Sequence, residues 1–233
     1  LDFEASAEEI HQRLKGIYTG LDFGENIGSN IQYRYCSQPL SADIEEIQRL
    51  IAALKVELVI VDSLGLACGG EPEAGEAILQ YFLALRALRT TSLTIHHQNK
   101  EGKLFGSVYI FNMTRNLWEL RSSPQGGQLN IGLFNRKANN GPLHPPEGLS
   151  ITFEGDSTFF SPQNVLDVPD LAESLPLYRQ ISEVLKNGAM STSDISEIVG
   201  KAETIVRSTL NRYKKVFLHK EDGSWGLIFS PSP

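Results

Sequence analysis

The stretch Leu58-Val-Ile-Val-Asp-Ser-Leu64 decides the fold class of this 233-residue chain. Its four leading apolar residues predict a strand that is buried on both faces of a parallel sheet. An acid directly after such a strand, here Asp62, lies at the carboxyl edge of the sheet, where α/β ligand sites open. There a carboxylate can hold magnesium through water, and Ser63 supplies a neighbouring hydroxyl. The alternative interpretation is a buried strand that simply ends at a solvated aspartate.

Strand and helix patterns alternate on both sides of this stretch. Ser6 is the predicted N-cap of the first helix, with Glu9 three positions later, and Ser41 is the predicted cap of the second. Strands are predicted at residues 1–3, 31–35, 58–61 and 92–95, and helices at 7–18, 41–54 and 73–88. The alternation predicts βαβ units, and therefore an α/β fold with a mostly parallel sheet covered by helices on both faces.

The pattern changes after the fourth predicted strand. Residues 116–121, 128–135 and 150–154 predict antiparallel strands, because Gly-rich and Pro-containing turns separate them. Proline-rich residues 161–176 predict a linker. Three helical segments and a hairpin follow, with the hairpin strands at 216–219 and 225–229, which is the element order of a winged helix. We therefore predict a partial core at 1–160, a linker at 161–176 and a winged-helix domain at 177–233.

The charge balance differs along the chain. The formal net charge is −7, which argues against a protein that coats nucleic acid over its whole surface. Residues 176–233 are instead slightly basic, with 8 Lys and Arg against 6 Asp and Glu. Cys36 and Cys68 form no metal-binding pattern, no segment is long and apolar enough to span a membrane, and two reduced thiols suit the cytoplasm. Because the chain begins at Leu1 rather than Met, inside a predicted strand, we expect a fragment.

Two further polar groups follow predicted strands and belong at the same sheet edge. Glu4 comes directly after residues 1–3, and a carboxylate there can orient and deprotonate an attacking water molecule. Its alternative role is that of a first-turn glutamate favoured by the helix dipole. The cluster His96-His-Gln-Asn-Lys100 follows the fourth strand and can sense a terminal phosphate, although a plain polar loop is the alternative.

Together these motifs resemble the RecA-like ATPases of the RepA-type hexameric helicase branch, often labelled AAA-domain proteins. The resemblance spans residues 1 to about 154 and depends on the order and spacing of motifs that are individually weak. The motifs are Leu1-Asp-Phe-Glu4, Val59–Leu64 as Walker B, Thr94–Lys100 as sensor strand, Gly106-Ser-Val with Arg115-Asn-Leu-Trp-Glu119, and Leu133–Asn139.

The resemblance implies ATP and Mg²⁺ as cofactors and a homo-oligomeric ring, such as a hexamer, with active sites between subunits. It implies Glu4 as general base, Asp62 as magnesium ligand with Ser63 beside it, and His97 and Gln98 as sensor residues. It also implies that cations stabilise the transferred phosphoryl group across a subunit boundary. The candidates are Arg115, Arg136 and Lys137, and ordinary surface cations are the alternative for each.

The sequence departs from that family in one essential motif. No GxxxxGK[ST] phosphate loop occurs in the 233 residues, and the strand and loop expected before Leu1 are absent. Without backbone N–H groups and a lysine to hold phosphate, nucleotide binding should be very weak. We expect the full-length protein to hydrolyse ATP and the 233-residue chain alone not to do so.

The C-terminal segment resembles the winged-helix modules of bacterial regulators. Its third predicted helix, 202–215, is the second helix of a helix-turn-helix and would present polar and basic side chains to a DNA major groove, with further lysines contacting the DNA backbone beside the wing. The candidate DNA-binding residues are Lys201, Thr204, Arg207, Ser208, Asn211, Lys214, Lys215 and Lys220. A winged helix used for protein contacts or oligomerisation is the alternative.

Three functional hypotheses follow for the whole protein. The first is an ATP-driven DNA helicase or loader, and the second is a DNA-binding regulator whose RecA-like part forms a scaffold without hydrolysing ATP. The third is a circadian or recombination-type RecA relative that does not unwind DNA. The motifs themselves do not distinguish a motor from a loader, and they leave open which cation acts in trans.

Overall fold

The structure is a computed structural model that describes residues 1–23, 28 and 30–228. The predicted end of the last strand at residue 229 lies outside the described residues. The helices are α1 (Ala7–Gly20), α2 (Ile44–Leu54), α3 (Leu64–Ala67), α4 (Gly75–Ala87), α5 (Val108–Met113), α6 (Pro169–Ala172), α7 (Leu177–Val184), α8 (Thr192–Val199) and α9 (Glu203–Arg212). The strands are β1 (Leu58–Val61), β2 (Thr91–Thr94), β3 (Asn116–Gln125), β4 (Gln128–Ala138), β5 (Glu147–Glu154), β6 (Ser157–Pro162), β7 (Phe217–His219) and β8 (Trp225–Leu227).

The predicted fold class is confirmed, because the chain combines parallel and antiparallel β structure with helices. β1 and β2 are parallel, with Ile60 opposite Leu93. Instead of full strands, residues 1–3 and 31–35 contribute parallel bridges that place Asp2 between Tyr35 and Asp62. The amide of Phe3 donates to the carbonyl of Asp62 at 2.7 Å, and the amide of Asp62 donates to Leu1 at 3.0 Å. These bonds fix the start of the chain beside β1.

The prediction that β1 is buried on both faces is wrong. Val59 and Val61 are buried, whereas Leu58 and Ile60 are 48% and 44% exposed. The buried pair joins an apolar core with residues of α2 and α4, such as Ile47 and Ile78 on those helices. Within the described part of the chain, helices therefore bury one face of this strand pair and leave the side chains of the other accessible to water.

A capping box determines where α1 begins, and a glycine lets it pack closely against a neighbouring turn. Ser6 and Glu9 form the predicted capping box, in which the Ser6 side chain accepts from the Glu9 amide and the Glu9 carboxylate accepts from Ser6. Further along, a Cβ added at Gly16 would meet the carbonyl of Asp156 at 2.8 Å. Only glycine permits so close an approach, so Gly16 lets α1 pack directly against the backbone at Asp156. The second helix starts at Ile44 rather than after Ser41.

The antiparallel sheet has four strands in the order β3-β4-β5-β6, one more than predicted. Residues 161–176 are not a bare linker, because a 3₁₀ helix at Val165–Asp167 and α6 occupy most of this segment. Four of its apolar residues are buried in one cluster with Phe134, and they are Val165, Val168, Leu171 and Leu175. The prolines of this segment therefore accompany short helices rather than a flexible connection.

The chain divides into two compact units. The first comprises Leu1–Glu119, Asn135–His144 and Phe153–Phe160, and the second comprises Leu120–Phe134, Pro145–Thr152 and Ser161–Pro233. Within the second unit, α7, α8, α9 and the hairpin β7-β8 surround their own apolar core, which includes Ile181, Ile195, Leu210 and Trp225. This is the element order that the winged-helix prediction requires, with α9 shorter than the predicted 202–215. The boundaries predicted at 160 and 176 stay predictions.

Candidate active site

Glu4 and Ser63 meet at the carboxyl edge of the parallel strands. The hydroxyl of Ser63, which is buried, donates a short hydrogen bond to Oε1 of Glu4. The backbone places Glu4 there, because Oδ1 of buried Asp2 accepts from the amides of Glu4 and Ala5, each at 2.8 Å. This turn-capping role of Asp2 was not predicted, although an aspartate two residues before a turn is a usual signal for it.

His97 completes the polar group around Glu4. Its Nε2 lies 3.3 Å from Oε1 of Glu4, and the Glu4 side chain is 40% exposed. Both described hydrogen bonds therefore involve Oε1, and within the described residues Oε2 has no hydrogen-bond partner. One carboxylate oxygen is held in place while the other stays open to accept a proton.

The pKa values of the two acids move in opposite directions. The pKa of Glu4 is lowered, first by the hydrogen bond from Ser63 and then by His97, so Glu4 is ionised at neutral pH. The pKa of Asp62 is raised, first by burial and then by the charges of Glu4 and Asp2. A carboxylate whose charge is disfavoured in this way gains from a nearby cation.

These residues fit magnesium only as part of a larger coordination sphere. Across the described residues, no group of three or more His, Cys, Asp or Glu side chains could hold a metal ion alone. Magnesium typically takes one or two carboxylates and completes its octahedron with water and substrate phosphates. Asp62 suits that arrangement, and the Ser63 hydroxyl oxygen keeps its lone pairs while its proton is donated to Glu4.

A shallow groove opens beside Glu4. Its volume is about 480 Å³. The residues that line it are Glu4, Ala5, Ser6, Ala7, Glu9 and Tyr35. Solvent and a small ligand therefore have access to the Glu4 carboxylate from the start of α1.

The other predicted sensor residue, Gln98, contacts a different acid. Its Nε2 donates to Oε1 of Glu119 at 3.0 Å. Arg136 binds the same carboxylate, with Nε and Nη2 each 2.6 Å from Oε2 of Glu119. Glu119 belongs to one of the sequence motifs, but no role was predicted for it. An acid at an inward position of an alternating strand is the signal that could have indicated a buried partner.

The remaining candidate cations have different surroundings. Lys137 donates to the carbonyls of Phe111 and Asn112 at the end of α5, at 2.6 Å and 3.2 Å. Arg115 is exposed, and no side-chain partner is described for it. The structure therefore brings together Glu4, Ser63 and His97 beside Asp62, and it does not bring the three cations to that group.

The predicted DNA-binding residues lie on the second unit. The exposed side chains of Arg207, Asn211 and Lys214 line a groove of about 710 Å³ between α9 and the hairpin, together with His219. Arg207 also pairs with Glu203 one turn away at 2.8 Å. Lys201 lies before α9 rather than on it, and the other predicted residues, all exposed, are Thr204, Ser208, Lys215 and Lys220.

Comparison with known proteins finds a similarity for the first part of the chain. Residues 1–103, less than half of the chain, match a family model described as AAA domain. No curated protein matches. A solved structure of a KaiC-like protein from the hyperthermophilic archaeon Pyrococcus horikoshii OT3 is similar at 14% identity and a TM-score of 0.46, over 68% of this chain and 74% of that one. That likeness is too weak to establish a shared fold.

The matched segment contains Glu4, Asp62, Ser63, His97 and Gln98, and no described helix is long and apolar enough to cross a membrane. The family model covers all of the side chains grouped around Glu4, so residues 1–103 are similar to an AAA domain in the part of the chain that contains the candidate site.

Proposed function

We propose that this chain supplies the general base and the magnesium-binding carboxylate of an ATP-hydrolysing site in a RecA-like protein that acts on DNA. One observation carries the proposal. Glu4 and Asp62 are 58 positions apart in the sequence, yet they lie side by side at the carboxyl edge of the parallel strands. Both belong to the segment that matches an AAA domain.

The geometry supports a division of labour between the two acids. Glu4 is ionised, held through Oε1 and open at Oε2, so it can take a proton from a water molecule that attacks phosphorus. Asp62 would hold magnesium, which supplies charge neutralisation on the phosphate oxygens. His97 fixes the Glu4 carboxylate and can follow changes there, which suits the predicted sensor role.

The phosphate-binding part of the site is not among these residues. The sequence contains no GxxxxGK[ST], and the described groove beside Glu4 is lined mostly by small and acidic side chains. Acidic groups repel phosphate. We therefore propose that a separate phosphate loop completes the site in the full-length protein, and we expect no magnesium-dependent ATP turnover by the 233 residues alone.

The magnesium role of Asp62 is tested by ATP turnover of the full-length protein over a range of Mg²⁺ concentrations. Asp62→Asn removes the charge, so half-maximal turnover should require about tenfold more Mg²⁺, with a lower plateau. Asp22→Asn is the matched control, because Asp22 is exposed and asparagine also tolerates its positive φ of 58°. An unchanged Mg²⁺ dependence in Asp62→Asn would contradict the assignment.

For the second unit we propose DNA binding through α9 and the hairpin. The supporting observation is the groove that Arg207, Asn211 and Lys214 line, since these side chains contact phosphates and base edges in proteins of this architecture. The competing use is a contact surface for another protein, as in the regulator or scaffold hypothesis. Helicase and loader remain equally compatible with such a module.

DNA binding is tested by fluorescence anisotropy of the 233-residue chain with a labelled duplex at several salt concentrations. Lys214→Ala should weaken binding several-fold and reduce the slope of log K against log salt by about 1. Lys186→Ala is the matched control, because Lys186 pairs with Glu183 at 2.6 Å and lies outside the groove. No binding even at low salt would favour the protein-contact function.

A further inference from the structure

Glu119 on β3 joins two segments of the first unit that the sequence separates. Its side chain is 11% exposed, so water screens its charge poorly. The two carboxylate oxygens have different donors, because Oε1 accepts from Gln98 and Oε2 accepts from both Nε and Nη2 of Arg136. A glutamine at this position could not accept at both oxygens, because one of them would become an NH₂ donor.

The segment that carries Gln98 is a closed turn. Gln98 is bridged to Leu104, and the amide of Asn99 donates to the carbonyl of Lys103 at 2.8 Å. The Asn99 side chain accepts from the amides of Glu101 and Lys103. We call residues 97–104 the sensor turn. Its internal hydrogen bonds make it a unit, so a displacement of Gln98 is transmitted to the rest of the turn.

Two consecutive residues of the sensor turn hold two different carboxylates. His97 contacts Glu4, and Gln98 contacts Glu119. A continuous series of polar contacts thus leads from Glu4 through the turn to Glu119 and on to Arg136. Because residues 97 and 98 share a peptide bond, the position of one side chain restrains that of the other.

We propose that Glu119 is a positioning residue: by holding Gln98 it keeps His97 on Glu4, and Arg136 controls how firmly it does so. The proposal rests on the proposed ATP hydrolysis, for which Glu4 is the base. An anion that draws Arg136 away from Glu119 would then weaken the contact of His97 with Glu4. This gives Arg136 a role within its own subunit, where the sequence implied one across a boundary.

The coupling is tested in the 233-residue chain by NMR of the Glu4 carboxyl carbon and the His97 ring nitrogens. Glu119→Gln should shift both sets of signals, because the loss of its hydrogen bond to Gln98 displaces the sensor turn. Glu101→Gln is the matched control, since Glu101 lies on the same turn, is 70% exposed and pairs with Lys103 at 2.9 Å. Unchanged Glu4 and His97 signals in a folded Glu119→Gln variant would overturn the proposal.

Two further variants keep the test decisive if Glu119→Gln does not fold. Arg136→Lys keeps the charge but loses the two-nitrogen contact, so it should shift the same signals in the same direction by less. In a Gln98→Ala background, Arg136→Lys should cause no additional shift, because the link is already broken. A full additional shift there would show that the effect does not pass through Gln98.

Turnover of the full-length protein separates this proposal from the proposed function. Glu119→Gln should lower kcat about tenfold while KM for ATP stays within about twofold, because the base is misplaced and binding is not. NMR coupling without any effect of Glu4 substitution on turnover would contradict ATP hydrolysis at this site and leave the coupling intact. Normal turnover in Glu119→Gln together with loss of turnover in Glu4→Gln would overturn only the positioning role.

Discussion

Polar side chains are arranged differently at the edge of the parallel strands and in the C-terminal module. At the strand edge, polar side chains hold one another: Ser63 and His97 fix Glu4, while Gln98 and Arg136 fix Glu119. On α9 and its hairpin, the polar side chains are exposed, and the described contacts of Arg207 and Asn211 remain within the helix. The difference matches the two proposed functions, because a reacting group needs a fixed position and a phosphate-binding surface needs side chains that can move.

The apolar cores follow the same division. Buried residues of α2, α4 and β1 form one cluster, and those of α7, α8, α9 and the hairpin form another. Among the described residues, none is common to the two clusters. The comparison therefore predicts that changes in one region can be made without altering the chemistry of the other.

The largest effect is expected from the core of the C-terminal module. Leu210 is fully buried, so Leu210→Ala should lower the free energy of unfolding of that module by about 2–5 kcal/mol and weaken DNA binding. The NMR signals of Glu4 and His97 should not change. Circular dichroism melting and NMR spectra check both points, and a shift of the Glu4 signal would refute the separation of the two regions.

A smaller effect is expected within the strand edge from Ser63→Ala. The hydrogen bond from Ser63 is the main reason why the pKa of Glu4 is lowered, so its removal should raise that pKa towards the ordinary value. A lowered carboxyl pKa adds stability above the ordinary pKa that is lost as the pH falls through the lowered one. In the variant this contribution should be smaller, and its loss should be complete at a higher pH. Carbon-13 titration of Glu4 measures the change, and an unmoved pKa would mean that Ser63 does not hold the carboxylate.

The strand edge was largely predictable because short-range patterns determine it. Glu4 and Asp62 each follow a predicted strand, and parallel strands end at a common edge, so their proximity follows from the pattern alone. The capping box of Ser6 and Glu9 depends on residues three apart. Neither feature requires knowledge of which distant segments meet.

Other features were not predictable because they depend on which segments meet in space. The exposure of Leu58 and Ile60 reflects what covers the sheet, not their own hydrophobicity. The burial of Leu171 in the predicted linker requires Phe134, which lies 37 positions earlier. The pairing of Glu119 with Gln98 and Arg136 likewise spans 21 and 17 positions, and the local pattern indicates a buried acid without identifying these partners.

We propose that Glu4 acts as the base of ATP hydrolysis rather than as a structural acid. Single-turnover cleavage of radiolabelled ATP by the full-length protein tests this role, with Glu4→Gln compared to Glu8→Gln at an exposed glutamate four residues later. Glu4→Gln should bind ATP as tightly as the unaltered protein and cleave it about 10²–10⁴-fold more slowly, while Glu8→Gln should cleave it normally. Cleavage by Glu4→Gln at the unaltered rate would show that Glu4 is not the base.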